Sequence, residues 1–284
     1  MVTDSAASLS DEVIRSRDIR VVPLQVVIGA RSYDEGGDAG ITTDTVADAL
    51  REWTPVSTSR PTPAAMSEAY RAAAEDGAEG VVAVHISGEV SGTFESAQLA
   101  ARDAPIPVVV VDSRQVGIST GFAVLTVADV LDAGGTAEEA AEAARARCAA
   151  TTSLFYVDTL EYLRRGGRVG AAAALFGSAL AVKPLLTLTD GRIGPLEKVR
   201  TSGRALARLE ALAVEAAGDR PVDVGVAHLA SPDRARALAD NLATRLAGNL
   251  DGREVALGEV GAALGAHVGP GMVAVSVAPR LPLD

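Results

Sequence analysis

Five short segments of this 284-residue chain carry side chains able to hold or attack a polar group: Thr3–Asp4–Ser5, Thr58–Ser59–Arg60–Pro61, Ser91–Gly92–Thr93, Asp112–Ser113, and the run from Gly265 through His267 to Gly271. Each follows an apolar run or precedes a helical pattern. Thr58 and Ser59 stand ahead of a helix expected to open at Pro63, and Ser91 and Gly92 ahead of one opening near Thr93. The first turn of a helix leaves N–H donors unpaired and carries partial positive charge, so two such starts with hydroxyls at their mouths suit an anion. The plainer alternative is that Thr58, Ser59 and Ser91 are loop and capping residues.

The three histidines divide by context. His85 and His228 lie inside apolar strand runs and read as structural; His267 lies among glycines, where a backbone can approach a ligand closely. A ligand role and a structural role both stay open for it. Ser91 with His267 as base would make a hydrolase or acyltransferase. The serine, however, sits in Val-Ser-Gly-Thr rather than in a Gly-x-Ser-x-Gly elbow, and no third residue is evident to orient the imidazole. Arg164, Arg165 and Arg168 surround a glycine pair, either as an anion-facing cluster or as a solvated turn. No Gly-Lys-Ser/Thr phosphate loop, no strand–GxGxxG–helix fingerprint and no Cys/His set with metal-ligand spacing is present, so neither a cofactor nor a metal is expected.

The elements that must position these residues alternate in the first half. Strands are expected at Val21–Val27, Val81–Ile86 and Val108–Val111. Helices are expected from Pro63 to Asp76 with Thr62 as cap, after Thr93, from Gly121 to Ala133, and from Thr136 with a Thr136/Glu139 capping box. Continuous apolar strands between helices indicate an α/β unit with a mainly parallel, buried sheet. Turn chemistry around Asp34–Gly40 marks residues 22–44 as a hairpin insertion. From Ser153 onward, strands at Ser153–Val157, Leu185–Thr189, Val222–His228, Glu254–Leu257 and Met272–Val277 mix with long amphipathic helices. One of these is bracketed by Ser231–Pro232–Asp233 and Gly248. This reads as an α+β unit, giving an N-terminal domain over 1–152 and a C-terminal domain over 153–284. Few apolar residues precede Thr3, so the first strand should be short.

Composition narrows the function. A net charge of −11 disfavours nucleic acid and anionic membranes, and 3% aromatics leaves few stacking platforms. No apolar run reaches the roughly 18–20 residues of a membrane span. The polar N-terminus lacks a signal-peptide pattern and Cys148 has no partner for a disulfide, which points to the cytoplasm.

Taken in order, Val2–Thr3–Asp4–Ser5, Thr58–Ser59–Arg60–Pro61, Val90–Ser91–Gly92–Thr93–Phe94–Glu95–Ser96–Ala97, Val111–Asp112–Ser113, Tyr162 through Gly170, Lys183–Pro184–Leu185–Leu186 and Gly265 through Gly271 resemble the DegV family over essentially the whole chain. The resemblance implies the two-domain fold just described, with one long-chain fatty acid buried between the domains. It implies a lipid-binding subunit rather than an enzyme. A separate ATP-dependent fatty acid kinase would phosphorylate the bound carboxylate to an acyl phosphate for phospholipid synthesis. It further implies that Thr58, Ser91, Gly92 and His267 hold the carboxylate, with Ser59 and Arg168 as secondary candidates, and that Arg168 and Arg200 face the kinase. Several positions depart from the family pattern: Arg60 stands where Gln is common, Thr62 and Gly88 where Ser is common, and Glu95 where Gln is common. Arg60 and Glu95 therefore bring charge to the expected mouth. A carrier of a small polar metabolite is the remaining alternative, and would need a polar pocket. The expected site is an elongated apolar tunnel ending at Thr58, Ser91 and His267, with the Arg168 side chain aimed outward. Chain length and saturation are read by wall residues that only the tertiary structure can place.

Overall fold

The computed structural model of the protein describes residues 1–36, 40–175 and 183–280. Its strands, in chain order, are β1 (Val2–Asp4), β2 (Arg20–Val22), β3 (Gln25–Ile28), β4 (Arg31–Asp34), β5 (Val56–Ser59), β6 (Val81–His85), β7 (Val108–Asp112), β8 (Thr152–Tyr156), β9 (Lys183–Thr189), β10 (Arg192–Val199), β11 (Val222–His228), β12 (Ala256–Glu259) and β13 (Val273–Pro279). They form a four-stranded parallel sheet, β2-β1-β6-β7, a six-stranded mixed sheet, β10-β9-β8-β13-β11-β12, and a small antiparallel sheet, β4-β3-β5.

The parallel sheet follows from its sequence. Every residue of β6 is buried, as a strand covered on both faces requires. Val82 and Val84 pack against the helices Ile118–Asp132 and Ala137–Ala150, while Val81 and Ala83 pack against Pro63–Glu75 and Thr93–Ala101. The helix starts are specified locally: Thr62 accepts the Ala65 N–H ahead of Pro63, and Thr136 with Glu139 forms the expected capping box. The short β1 lies inside the sheet, between β2 and β6.

The six-stranded sheet is covered on one face by its own helices. Leu154, Tyr156, Val224, Val226 and Val275 pack there against Leu209 and Leu242 of the helices Ser202–Ala217 and Pro232–Arg245. The opposite face, with Phe155, Leu186, Ala227 and Ala274, lacks that cover and belongs to a separate apolar cluster with Leu160, Leu163 and Met272. This second face matters for the site.

Three local expectations are corrected. The apolar run Val21–Val27 is two strands, because Pro23, which has no N–H to donate, ends the ladder: β2 stays in the parallel sheet and β3 enters the small one. The hairpin expected within 22–44 is β3–β4, but its sheet recruits β5, so the unit draws on residues 25–59 and includes the helix Thr43–Arg51. The polar Val-Ser-Thr-Ser sequence of β5 gives no strand signal of its own. Gly248 is not the stop of the Pro232 helix, which ends at Arg245; Gly248 lies within the short helix Ala247–Leu250 that follows.

Candidate functional site

The uncovered face of the six-stranded sheet is turned toward the first half of the chain, and the space between them is a cavity with an open mouth, lined from both sides. Leu24, Ile86, Val90, Val116 and Ile118 line it from one side; Phe155, Leu163, Leu188, Leu264 and Met272 line it from the other. Among the described residues the polar groups on its walls are few: Thr58, Ser91, Ser153, Arg168, His267 and Ser276. Thr58 and His267, which meet here, are 209 residues apart in the chain.

His267 occupies the last turn of the helix Ala262–Val268, and its Nε2 lies 2.8 Å from Thr58 Oγ1 on β5. Its Nδ1 edge lies against Gly166: a Cβ built there would come within 2.0 Å of Nδ1, so glycine is what lets the ring enter. Nδ1 is buried without a protein partner among the described residues. Burial, and then the nearby Arg168 charge, push the imidazole down to about 4. It is therefore neutral at pH 7, with one ring nitrogen donating and the other accepting.

Ser91 lies in the loop after β6, its hydroxyl 2.8 Å from Thr93 Oγ1 and 3.4 Å from the Thr93 N–H it accepts. Arg168 lines the same cavity. Rather than aiming outward as expected, its side chain turns back along the loops, where Nε donates to the Val90 carbonyl at 3.1 Å and Nη1 to the Gly166 carbonyl at 2.5 Å. Gly167, at φ +72°, supplies the left-handed residue that makes this reversal possible.

Three expected residues stand apart. Ser59 is exposed, because neighbours on a strand point to opposite faces and Thr58 takes the inner one. Gly92 caps the Thr93–Ala101 helix outside the cavity lining; its carbonyl accepts from Arg60 Nη1 at 3.1 Å. Arg200 is exposed, ahead of the Ser202–Ala217 helix, and does not line the cavity. The expectation of two helix starts sharing one anion also fails. Thr62 caps the Pro63–Glu75 helix itself, and neither Thr62 nor Pro63 reaches the cavity wall. Arg60 and Glu95 neutralise one another in an ion pair of 2.6 Å. Arg164 and Arg165 both pair with Glu161, and Arg165 also stacks 4.4 Å from the Trp53 ring centre.

Ser91 and His267 make no hydrogen bond to one another: the serine is engaged with Thr93 and the imidazole with Thr58. No carboxylate among the described residues hydrogen-bonds the ring, so a nucleophile–base–acid relay is not assembled. Among the described residues, no three or more His, Cys, Asp or Glu side chains converge as a metal site, and no helix is long and apolar enough to cross a membrane. Sequence reasoning missed Glu35, a buried carboxyl behind the His267 helix. Its only sequence signal is an acidic residue in a turn, indistinguishable from its exposed neighbours.

Fold and cavity together define a two-part α/β protein whose parallel and mixed sheets enclose an apolar chamber with a small polar cluster on its wall. The chain belongs to the DegV family: the family model described as "Uncharacterised protein, DegV family" matches residues 1–280. It is 53% identical over 280 residues to the DegV domain-containing protein SCO2569 of Streptomyces coelicolor, covering 99% of this chain and 98% of that one. Among solved structures it is similar to a DegV family protein from Thermus thermophilus described by its fatty acid binding (TM-score 0.91, 31% identity, 98% of both chains). It is also similar to a stearic acid-binding protein from Eubacterium ventriosum (TM-score 0.87, 26% identity, 98% of this chain and 97% of that one).

Proposed function

We propose that this chain binds one long-chain fatty acid in the cavity, with its carboxylate at Thr58, Ser91, His267 and Arg168. The N-terminal domain (1–152) and the C-terminal domain (153–284) close over it from either side. The observation that carries this reading is a chamber between the two halves, almost wholly apolar among the described residues, whose few polar wall groups include the Thr58–His267 pair. About fifteen buried methylenes offer roughly 12 kcal/mol gross, from which association and ordering subtract a large part. A buried carboxylate costs several kcal/mol unless its oxygens are hydrogen-bonded, and two hydroxyls, an imidazole and a guanidinium can supply that. The Thermus and Eubacterium proteins, described as binding fatty acids, support the ligand class.

The chain acts as a lipid-binding subunit in the cytoplasm, without catalysis of its own, and presents the carboxylate to an ATP-dependent fatty acid kinase that forms the acyl phosphate for phospholipid metabolism. Arg168 then serves the reacting end, and the exposed Arg200 contacts the kinase. Gly92 and Ser59 stand outside the cavity lining and take no part in holding the carboxylate. The apolar walls favour an acyl chain over a small polar metabolite, and the separate engagements of Ser91 and His267 favour binding over acyl transfer. Native mass spectrometry of protein purified from a bacterial host tests the reading. An adduct of fatty-acid mass is expected; a small polar adduct, or no adduct together with no binding of added palmitate, overturns it.

A further inference from the structure

The helix Ala262–Val268, which carries His267, is held at both ends by the small sheet unit of the other half of the molecule. At its far end His267 meets Thr58 on β5. At its start the Ala263 N–H donates to Glu35 Oε1 at 2.8 Å, and Glu35 directly follows β4 of the same small sheet. Ala263 and His267 are four residues apart, one turn of the helix, so both lie on one face, and both line the cavity.

Glu35 is built into this place. Its side chain is buried, and its second oxygen accepts from the Ser5 hydroxyl, which in turn accepts the Leu24 N–H at 2.9 Å. Its own backbone N–H donates to the Leu24 carbonyl at 2.8 Å. Gly261 makes the approach possible: a Cβ there would come within 2.3 Å of Glu35 Oε1. A buried carboxyl is costly unless donors surround it, and here a helix start and a hydroxyl provide them. Burial still raises its pKa above the ordinary carboxylate range.

We infer that Glu35 is a positioning residue of the carboxylate site, setting the imidazole of His267 against Thr58 by fixing the start of the short helix between them. The inference rests on the fatty-acid reading above. Moving the first turn of a seven-residue helix moves its last turn as a body, so an unanchored Ala263 displaces His267 from Thr58.

The test compares binding of palmitate with binding of hexadecanol, which has the same chain and no carboxylate. Glu35→Ala is expected to weaken palmitate at least about tenfold, the scale of a hydrogen bond to a charged group, and to leave hexadecanol unchanged. Glu35→Gln, which keeps an acceptor for the Ala263 N–H, is expected to restore palmitate binding. In a His267→Ala background, adding Glu35→Ala is expected to change nothing further. Should Glu35→Ala fail to fold, Gly261→Ala displaces the same carboxyl by contact and is expected to give the same palmitate-specific loss. Equal weakening of both ligands in a folded variant, or of neither, overturns the inference while leaving the fatty-acid reading intact. A parent protein that binds no palmitate overturns both.

Discussion

Thr58 and His267 come from opposite halves of the chain and meet 2.8 Å apart on the wall of an apolar cavity. Neither is placed by its own neighbours in sequence. If this pair holds a carboxylate, Thr58→Val keeps the shape and removes the hydroxyl. Palmitate affinity should then fall by roughly tenfold, and His267→Ala should fall at least as far. The double variant should lose less than the sum, because the two groups act on one ligand head. Calorimetric titration of the four proteins measures this; additive losses would separate the two residues.

The imidazole gives a pH signature. In the ligand-free protein it titrates at about 4, depressed first by burial and then by Arg168, from an ordinary value of 6.5. The unfolded chain takes up this proton at the higher value and the folded one only at the lower. The neutral ring thus contributes stability that is present above 6.5 and is lost as pH falls toward about 4. The loss is on the order of 3 kcal/mol at most. Denaturant unfolding at pH 7 and pH 5 should show a smaller acid loss in His267→Asn than in the parent.

A bound carboxylate raises the same pKa. Binding then takes up a proton between the free and bound values, and affinity weakens as pH rises through the bound value. Palmitate titrations in two buffers of different ionisation enthalpy read this uptake directly. Affinity and proton uptake that do not depend on pH between 5 and 7 would mean that the ring stays neutral beside the ligand.

Arg168 and Arg200 should separate. Arg168→Ala removes a charge that depresses His267, so the ring pKa rises in NMR titration. It should also cut acyl phosphate formation by a cognate kinase at least about tenfold, since a cation at the reacting end stabilises charge that develops there. Arg200→Ala, exposed and away from the cavity, should leave lipid binding unchanged and weaken the kinase complex. Acyl phosphate assays with lipid titrations of each variant distinguish the two roles.

Ile118 should set the acyl chains accepted. It lines the cavity, and a Cβ at Gly225 would sit 2.7 Å from its Cδ1. Gly225→Ala is expected to press Ile118 into the chamber and favour shorter chains; Ile118→Ala is expected to favour longer ones. The mass profile of fatty acids that co-purify with each variant checks the direction.

The sequence by itself determined what is local and periodic. The apolar run Val81–Val84 of β6, the Thr62 and Thr136 caps and the alternation of strands with helices mark a parallel α/β half, because burial pattern and capping act within a few residues. The ordered motifs also led to Thr58, Ser91, Arg168 and His267, all of which line one cavity. Tertiary structure decided the rest. Pro23 sends one apolar run into two sheets, and that choice depends on which partners each piece finds. Thr58 rather than Ser59 faces the chamber because β5 pairs with β3 in one register, and a shift of one residue would exchange them. Arg168 turns inward because the carbonyls of Val90 and Gly166 are there to receive it. Glu35 reaches Ala263 across 228 residues, a contact that packing alone creates and no periodicity or capping pattern encodes.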